Sequence, residues 1–148
     1  MPVTVEREFN INAPAKQVWD LLNNPQELGK CVPGCEEVTV LSPTEWRWKV
    51  KFAVGVIARR VEARAHLIKI EAPTSMTIKV GSMDGELAAE LAIAVQEKNT
   101  TTSQIKFTAN VDARGPFQWV VNQIVKSQLD KLIQQFAQTV TTKLQKNP

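Results

Sequence analysis

After Gly115-Pro116 the chain changes its hydrophobic period and does not change back. Phe117, Val120, Val121, Ile124, Val125, Leu129, Leu132, Ile133, Phe136, Val140 and Leu144 fall on one broad stripe, with Gln118, Gln123, Lys126, Asp130, Gln134, Gln138 and Lys143 largely outside it. A helix of nearly thirty residues is on the order of 40 Å long. It is stable only if it lies along something apolar for most of that length, because isolated helices are marginal in water. Whatever precedes it must supply that surface.

What precedes it is mostly strand. Val3, Val5, Phe9 and Ile11 alternate with polar residues, so Val3–Ile11 is expected to be a strand with one buried face. Pro14 sits at a natural first-helical position, and Val18, Trp19, Leu21 and Leu22 predict a short amphipathic helix that Asn23-Asn24-Pro25 stops. One more helical turn is predicted from Gln26 to Lys30, and Pro33-Gly34 suits the centre of a type II turn. Glu37–Leu41 reads as a strand. Trp46, Trp48, Val50, Phe52 and Val54 alternate with Arg47, Lys49 and Lys51 until Gly55 breaks the pattern. Ile57–Ile70 is a long strand whose apolar parity switches at Ile68, which predicts a bulge near its end. Strands follow at Met76–Val80, Leu87–Val95 and Ile105–Val111, with Asp84-Gly85 as a hairpin signal.

The expected fold is therefore α+β. A curved antiparallel sheet of about six to seven strands wraps around a long C-terminal helix, with two short helices after the first strand. At 148 residues, 43% of them hydrophobic and 22% charged, one domain spanning 1–148 is expected, with enough chain to bury a core unaided. Glu6, Arg7 and Glu8 occupy the place where an export signal needs an apolar run, and no stretch approaches the roughly twenty apolar residues of a membrane span. A cytoplasmic location is expected, with Cys31 and Cys35 reduced.

Several strings carry a family resemblance: Phe9-Asn10-Ile11-Asn12-Ala13-Pro14, Val18-Trp19-Asp20-Leu21-Leu22, Asn24-Pro25-Gln26 and Cys31-Val32-Pro33-Gly34-Cys35. With the order of elements, they resemble the G-subunit family of carbon monoxide dehydrogenase, part of the START/Bet v 1-like helix-grip (SRPBCC) superfamily. The resemblance covers nearly the whole chain. It implies a hydrophobic cavity, and a role in binding a lipid-like or quinone-like molecule or in supporting a molybdenum-containing dehydrogenase. Members often carry an extended C-terminal tail proposed to reach a membrane or a partner. This chain stops at Pro148.

The inward-pointing strand residues are almost all apolar, and four of them, Ala63, Ala65, Ala89 and Ala109, cannot reach far from the sheet. Either the interior is underfilled or large helix side chains fill the gap, as good cores do. The resemblance favours a cavity. Its ligand contacts are expected at Trp46, Trp48, Phe52, Ala63, Ala89, Leu91, Phe107, Phe117, Val121 and Ile124, with Cys31, Pro33, Gly34 and Cys35 as a gate. Such a wall binds by burial of apolar area and orients polar groups poorly.

No catalytic constellation is legible. His66 is the only histidine and falls on the polar face of its strand, tyrosine is absent, and no serine elbow or phosphate-cradling loop occurs. Two cysteines without partners make no four-ligand metal site, so neither a metal nor another cofactor is expected. Arg47, Lys49, Lys51, Arg60 and Arg64 project from the outer face, either as an ordinary solvated surface or as a docking patch for an acidic partner or an anionic membrane. The expectation is a non-catalytic carrier of an apolar small molecule, serving a redox enzyme complex and touching a membrane only transiently. The alternative is an accessory protein that docks onto a redox enzyme through the basic face and holds no ligand. Nucleic acid is not expected, since a formal charge of +3 is small and no exposed aromatics interleave with the bases.

Overall fold

The computed structural model describes residues 3–54 and 57–146, with side chains at all of these except 54, 57, 116, 117, 145 and 146. The expected break at Gly55 and the side chain of Phe117 therefore lie outside the described residues. The order is β1 (Val3–Ile11), α1 (Ala15–Leu22), α2 (Pro25–Cys31), β2 (Cys35–Ser42), β3 (Glu45–Val54), β4 (Ile57–Glu71), β5 (Ser75–Ser82), β6 (Leu87–Glu97), β7 (Ser103–Ala113), α3 (Pro116–Gln123), a π-helical turn (Ile124–Gln128) and α4 (Leu129–Lys146). The strands form one curved seven-stranded antiparallel sheet in the order β1-β7-β6-β5-β4-β3-β2. The expected α+β architecture is what the chain adopts.

The parity switch in β4 has a structural cause. Its pairing with β5 slips between Leu67 and Lys69, so the alternation restarts with Ile70 opposite Met76. The alanines of β4 also find their purpose in the ladder. Trp46 pairs with Ala65 and Trp48 with Ala63. The two alanines are 0% and 5% exposed, so large and small side chains alternate across β3 and β4 and the indoles cover the alanines. The two indoles meet edge to face, centroids 5.7 Å apart.

Pro14 turns out to be the N-cap of α1 rather than its first residue, with extended backbone geometry. Val18, Trp19, Leu21 and Leu22 bury one face of that helix. Asn24 both ends α1 and starts α2: its side-chain oxygen accepts from the backbone N–H of Gln26 and Glu27 at 3.1 and 3.3 Å, with Pro25 in the first turn. Gly29 lets α2 lie flat on the sheet, since a Cβ there would strike Val38. The next turn closes with Cys35 N–H donating to Val32 O at 3.1 Å, and Gly34 takes the φ of +85° that a type II turn needs.

The C-terminal helix runs as expected along the chain, but not uniformly. Among its described side chains Val120 and Val140 are the buried points, and none of the five residues of the π-helical turn between them is buried. There Ser127 Oγ donates to Gln123 O at 2.8 Å, inside the interrupted ladder. Past that turn α4 is held by Arg7–Asp130 at 3.2 Å, by Phe136 edge-on to Phe9 at 6.0 Å, and by Lys143–Glu27 at 3.0 Å.

Candidate functional site: an apolar cavity under α4

Between the sheet and α4 lies a cavity of about 200 Å³. The sheet supplies Phe9, Trp48, Ile78, Leu91, Ile93, Ile105 and Phe107, residues that alternation turns to the concave side of β1, β3, β5, β6 and β7. The first half of α4 supplies Leu132, Ile133 and Phe136 as a roof, one per step of the helical stripe. Leu22, Leu28, Val32 and Pro33 close one end, brought there by the two short helices and the turn after them. The wall that these side chains present is apolar throughout, and the indole N–H of Trp48 is buried away from it.

That N–H has no partner. Trp46 Nε1 and Trp48 Nε1 are buried without a hydrogen-bond acceptor, although the residues are only 3% and 6% exposed. Trp48 Nε1 lies 3.1 Å from where a Cβ on Gly29 would stand, so it is packed against α2 and does not open into the cavity.

Of the expected ligand contacts, the structure brings Trp48, Leu91 and Phe107 into the wall. Trp46 sits directly behind Trp48, and Ala63 lies under it in the ladder. Ala89 faces Val80 and Val111 on its neighbouring strands and is not part of the lining. Phe52 and Val121 pack with Val61, Leu87 and Ala113 into a separate small cluster under α3. Ile124 opens the π-helical turn and does not reach the wall. The contacts expected from the sequence would put the cavity under the start of the helix. Among the described side chains the α3 stretch is instead held to the sheet by that small cluster, and the cavity falls one stretch later, under α4. The residues missed, Phe9, Ile105, Leu132, Ile133 and Phe136, all carry the right periodicity. What they lack is any marker of where the helix lifts off the sheet.

At the expected gate, Pro33 lines the cavity while Cys31 packs into the core and Gly34 is exposed. Both cysteines are free. Burial pushes the Cys31 thiol up to about 11 and also raises Cys35, whose Sγ donates to Glu37 O at 3.6 Å. Neither is a ready nucleophile. His66 is on the outer face with Nδ1 3.5 Å from Glu45 Oε1. Among the described residues no group of three or more His, Cys, Asp or Glu stands close enough to hold a metal.

The basic face is interleaved with acids. Lys49 pairs with Glu37 at 3.4 Å, Arg60 with Glu36 at 2.9 Å and Arg64 with Glu45 at 3.8 Å. Lys51 is exposed on the same face, and Arg47 Nε is buried there without a partner. No helix among the described residues is long and apolar enough to cross a membrane.

Residues 8–145 match the family model that describes the G subunit of carbon monoxide dehydrogenase (CoxG). Among curated protein sequences nothing matches. A conserved protein from Geobacillus kaustophilus superposes with a TM-score of 0.85 at 17% identity, covering 97% of this chain and 96% of that one. The Zhui aromatase/cyclase from Streptomyces sp. R1128 gives 0.70 at 12% identity, over 97% and 93%. Norcoclaurine synthase from Thalictrum flavum, in complex with dopamine and hydroxybenzaldehyde, gives 0.68 at 14% identity, over 100% and 89%. At these identities the structural likenesses speak to the fold, which in these neighbours carries enzymes as well as a protein known only as conserved.

Proposed function

Because this chain belongs to the CoxG family, that of the carbon monoxide dehydrogenase G subunit, we propose that it is a non-catalytic carrier for an apolar, lipid- or quinone-like molecule, accessory to a molybdenum-containing dehydrogenase in the cytoplasm. The observation that carries this reading is the cavity under α4, whose wall holds no acid, base or nucleophile. General acid–base and covalent catalysis each need a titratable or nucleophilic group within hydrogen-bond reach of the reacting atoms. A wall of this kind offers burial of apolar surface, at about 25 cal/mol per Å².

Size narrows the ligand. Benzene fits an engineered apolar cavity of roughly 150 Å³, so about 200 Å³ takes one or two rings or the head of a longer chain. A longer molecule would extend past Pro33, and the Val32–Gly34 turn, together with Cys31 and Cys35 on either side of it, is the segment that would shift to admit it. The docking alternative has less behind it. Three of the five bases on the outer face are already paired with Glu36, Glu37 and Glu45, so much of their charge is offset locally.

The test is native mass spectrometry of gently purified protein, followed by organic extraction of what it releases. A stoichiometric apolar adduct is expected. A clean apo mass that stays unchanged after incubation with quinones and lipids would sink the carrier reading and turn attention to the basic face.

A further inference from the structure

Alternation turns Val3, Val5, Arg7, Phe9 and Ile11 to one face of β1, the concave one. Arg7 interrupts that apolar row beside the cavity. It stands two residues before Phe9 and directly across the ladder from Phe107, and both of these are wall residues. Its ion-pair partner, Asp130, comes two residues before Leu132 in the roof. The pair therefore spans the gap between β1 and the start of α4, at the rim of the wall. Solvent reaches it there, since the two side chains are 39% and 83% exposed.

A tether alone is a weak reason for a guanidinium at that position. An ion pair whose acid is this exposed adds little stability, and a leucine in the same row would bury apolar area against α4 instead. The guanidinium also has donors to spare. Nε donates to Asp130 Oδ1 at 3.2 Å and Nη1 to Glu6 O at 2.7 Å, while Nη2 has no acceptor among the described residues.

We infer that the ligand is an amphiphile whose body lies under α4 and whose carbonyl or carboxylate oxygen stays at the rim, where Arg7 receives it. The inference rests on the carrier reading and sharpens it by adding a specificity-determining residue. An oxygen buried against the wall would lose its water and gain no donor, because the wall is apolar throughout. At the rim it meets a planar, charged donor, and charge-assisted hydrogen bonds are the stronger kind. The body of the molecule then lies along Phe107, Ile105 and Phe136. A longer one runs on towards Val32 and Pro33, whose turn is bonded to β3 on the other side of the sheet.

Three probes of matched shape test this: 2-naphthoate, 2-acetylnaphthalene and 2-isopropenylnaphthalene, which put a carboxylate, a ketone and a hydrocarbon on the same ring. Isothermal titration calorimetry would measure all three on the wild-type protein, on Arg7→Met and on Asp130→Asn. At least one oxygen probe is expected to bind about ten-fold more weakly to Arg7→Met, and the hydrocarbon to change by less than about two-fold. A loss confined to naphthoate names an acid as the head, and a loss for the ketone names a neutral carbonyl. Equal changes for all three probes, or none, would overturn the inference and leave the carrier reading standing. Failure of all three to bind the wild type would overturn the carrier reading and this inference with it. Asp130→Asn separates binding from tethering. With its competing acceptor weakened, Arg7 should hold the affected oxygen probe about three-fold more tightly. Unchanged or weaker binding there would mean that the pair only fastens α4 to β1, and would again overturn the assignment.

Discussion

Cys31 shows how much of a residue's chemistry its surroundings decide. Its place beside a turn makes it a candidate gate residue in the sequence, yet the side chain is 2% exposed in the core under α2. Burial, with Glu27 adding to it and Lys143 opposing, lifts its thiol from an ordinary 9.0 to about 11. Between those values the unfolded chain has released the proton and the folded one has kept it. The unfolded state then binds fewer protons, so stability falls as pH rises from about 9 towards 11. Urea midpoints measured across that range should decline for the wild type and lose most of that decline in Cys31→Ala; an unchanged slope would mean the thiol is not the group responsible. Below pH 8, maleimide should label Cys31 only after denaturation. The alanines teach a related lesson. Ala63 and Ala65 look like unfilled volume in the sequence, which does not say what stands across the ladder. Register puts an indole opposite each, and one residue's slip would have reversed that conclusion.

Elements are more legible than single residues, because periodicity survives local accidents. All seven strands and both short helices stand where alternation, prolines and the Asn24 signal place them, and even the β4 bulge is announced by its parity switch. The π-helical turn is not. Its apolar residues continue the stripe of α3 and α4, and Ser127, whose hydroxyl bonds back to Gln123 O, is an ordinary residue in an exposed helix. The turn joining α2 to β2 is the most exacting connection. Gly34 adopts a left-handed φ, its position for a Cβ collides with the Lys51 carbonyl, and its own carbonyl accepts from Lys51 N–H at 2.8 Å. Gly34→Ala should therefore lower stability by about 2 kcal/mol in chemical denaturation, from backbone strain and displacement of that bond. A loss below about 0.5 kcal/mol would show that the turn re-forms in another geometry without cost. Since Val32 and Pro33 of the same turn line the cavity, the variant also reports how tightly that end is held.

At the scale of the whole molecule the question is why a chain able to pack Trp46 and Trp48 so closely against alanines leaves about 200 Å³ unfilled on the other side of Trp48. The curvature of seven strands and the length of α4 make contact everywhere impossible, but side chains of the right size would close the gap. Ile133, half-buried in the roof, is one place to enlarge. Filling apolar cavities ordinarily gains stability, commonly about 0.5–2 kcal/mol, so Ile133→Phe is expected to raise the stability of the ligand-free protein by about 1 kcal/mol. If the volume is kept for a ligand, the same substitution must remove a stabilisation that the wild type draws from binding. At one hundred times its dissociation constant a ligand adds about 2.7 kcal/mol to the wild type by mass action, and a thermal shift with 2-acetylnaphthalene reads that directly. The wild type should then be the less stable protein alone and the more stable one with ligand, the order of the two melting curves reversing on addition. An Ile133→Phe protein that keeps the full ligand-induced shift would mean the probe binds elsewhere. One that is destabilised even without ligand would mean the roof is already packed to its limit, and that the space beneath α4 is a by-product of curvature rather than a site.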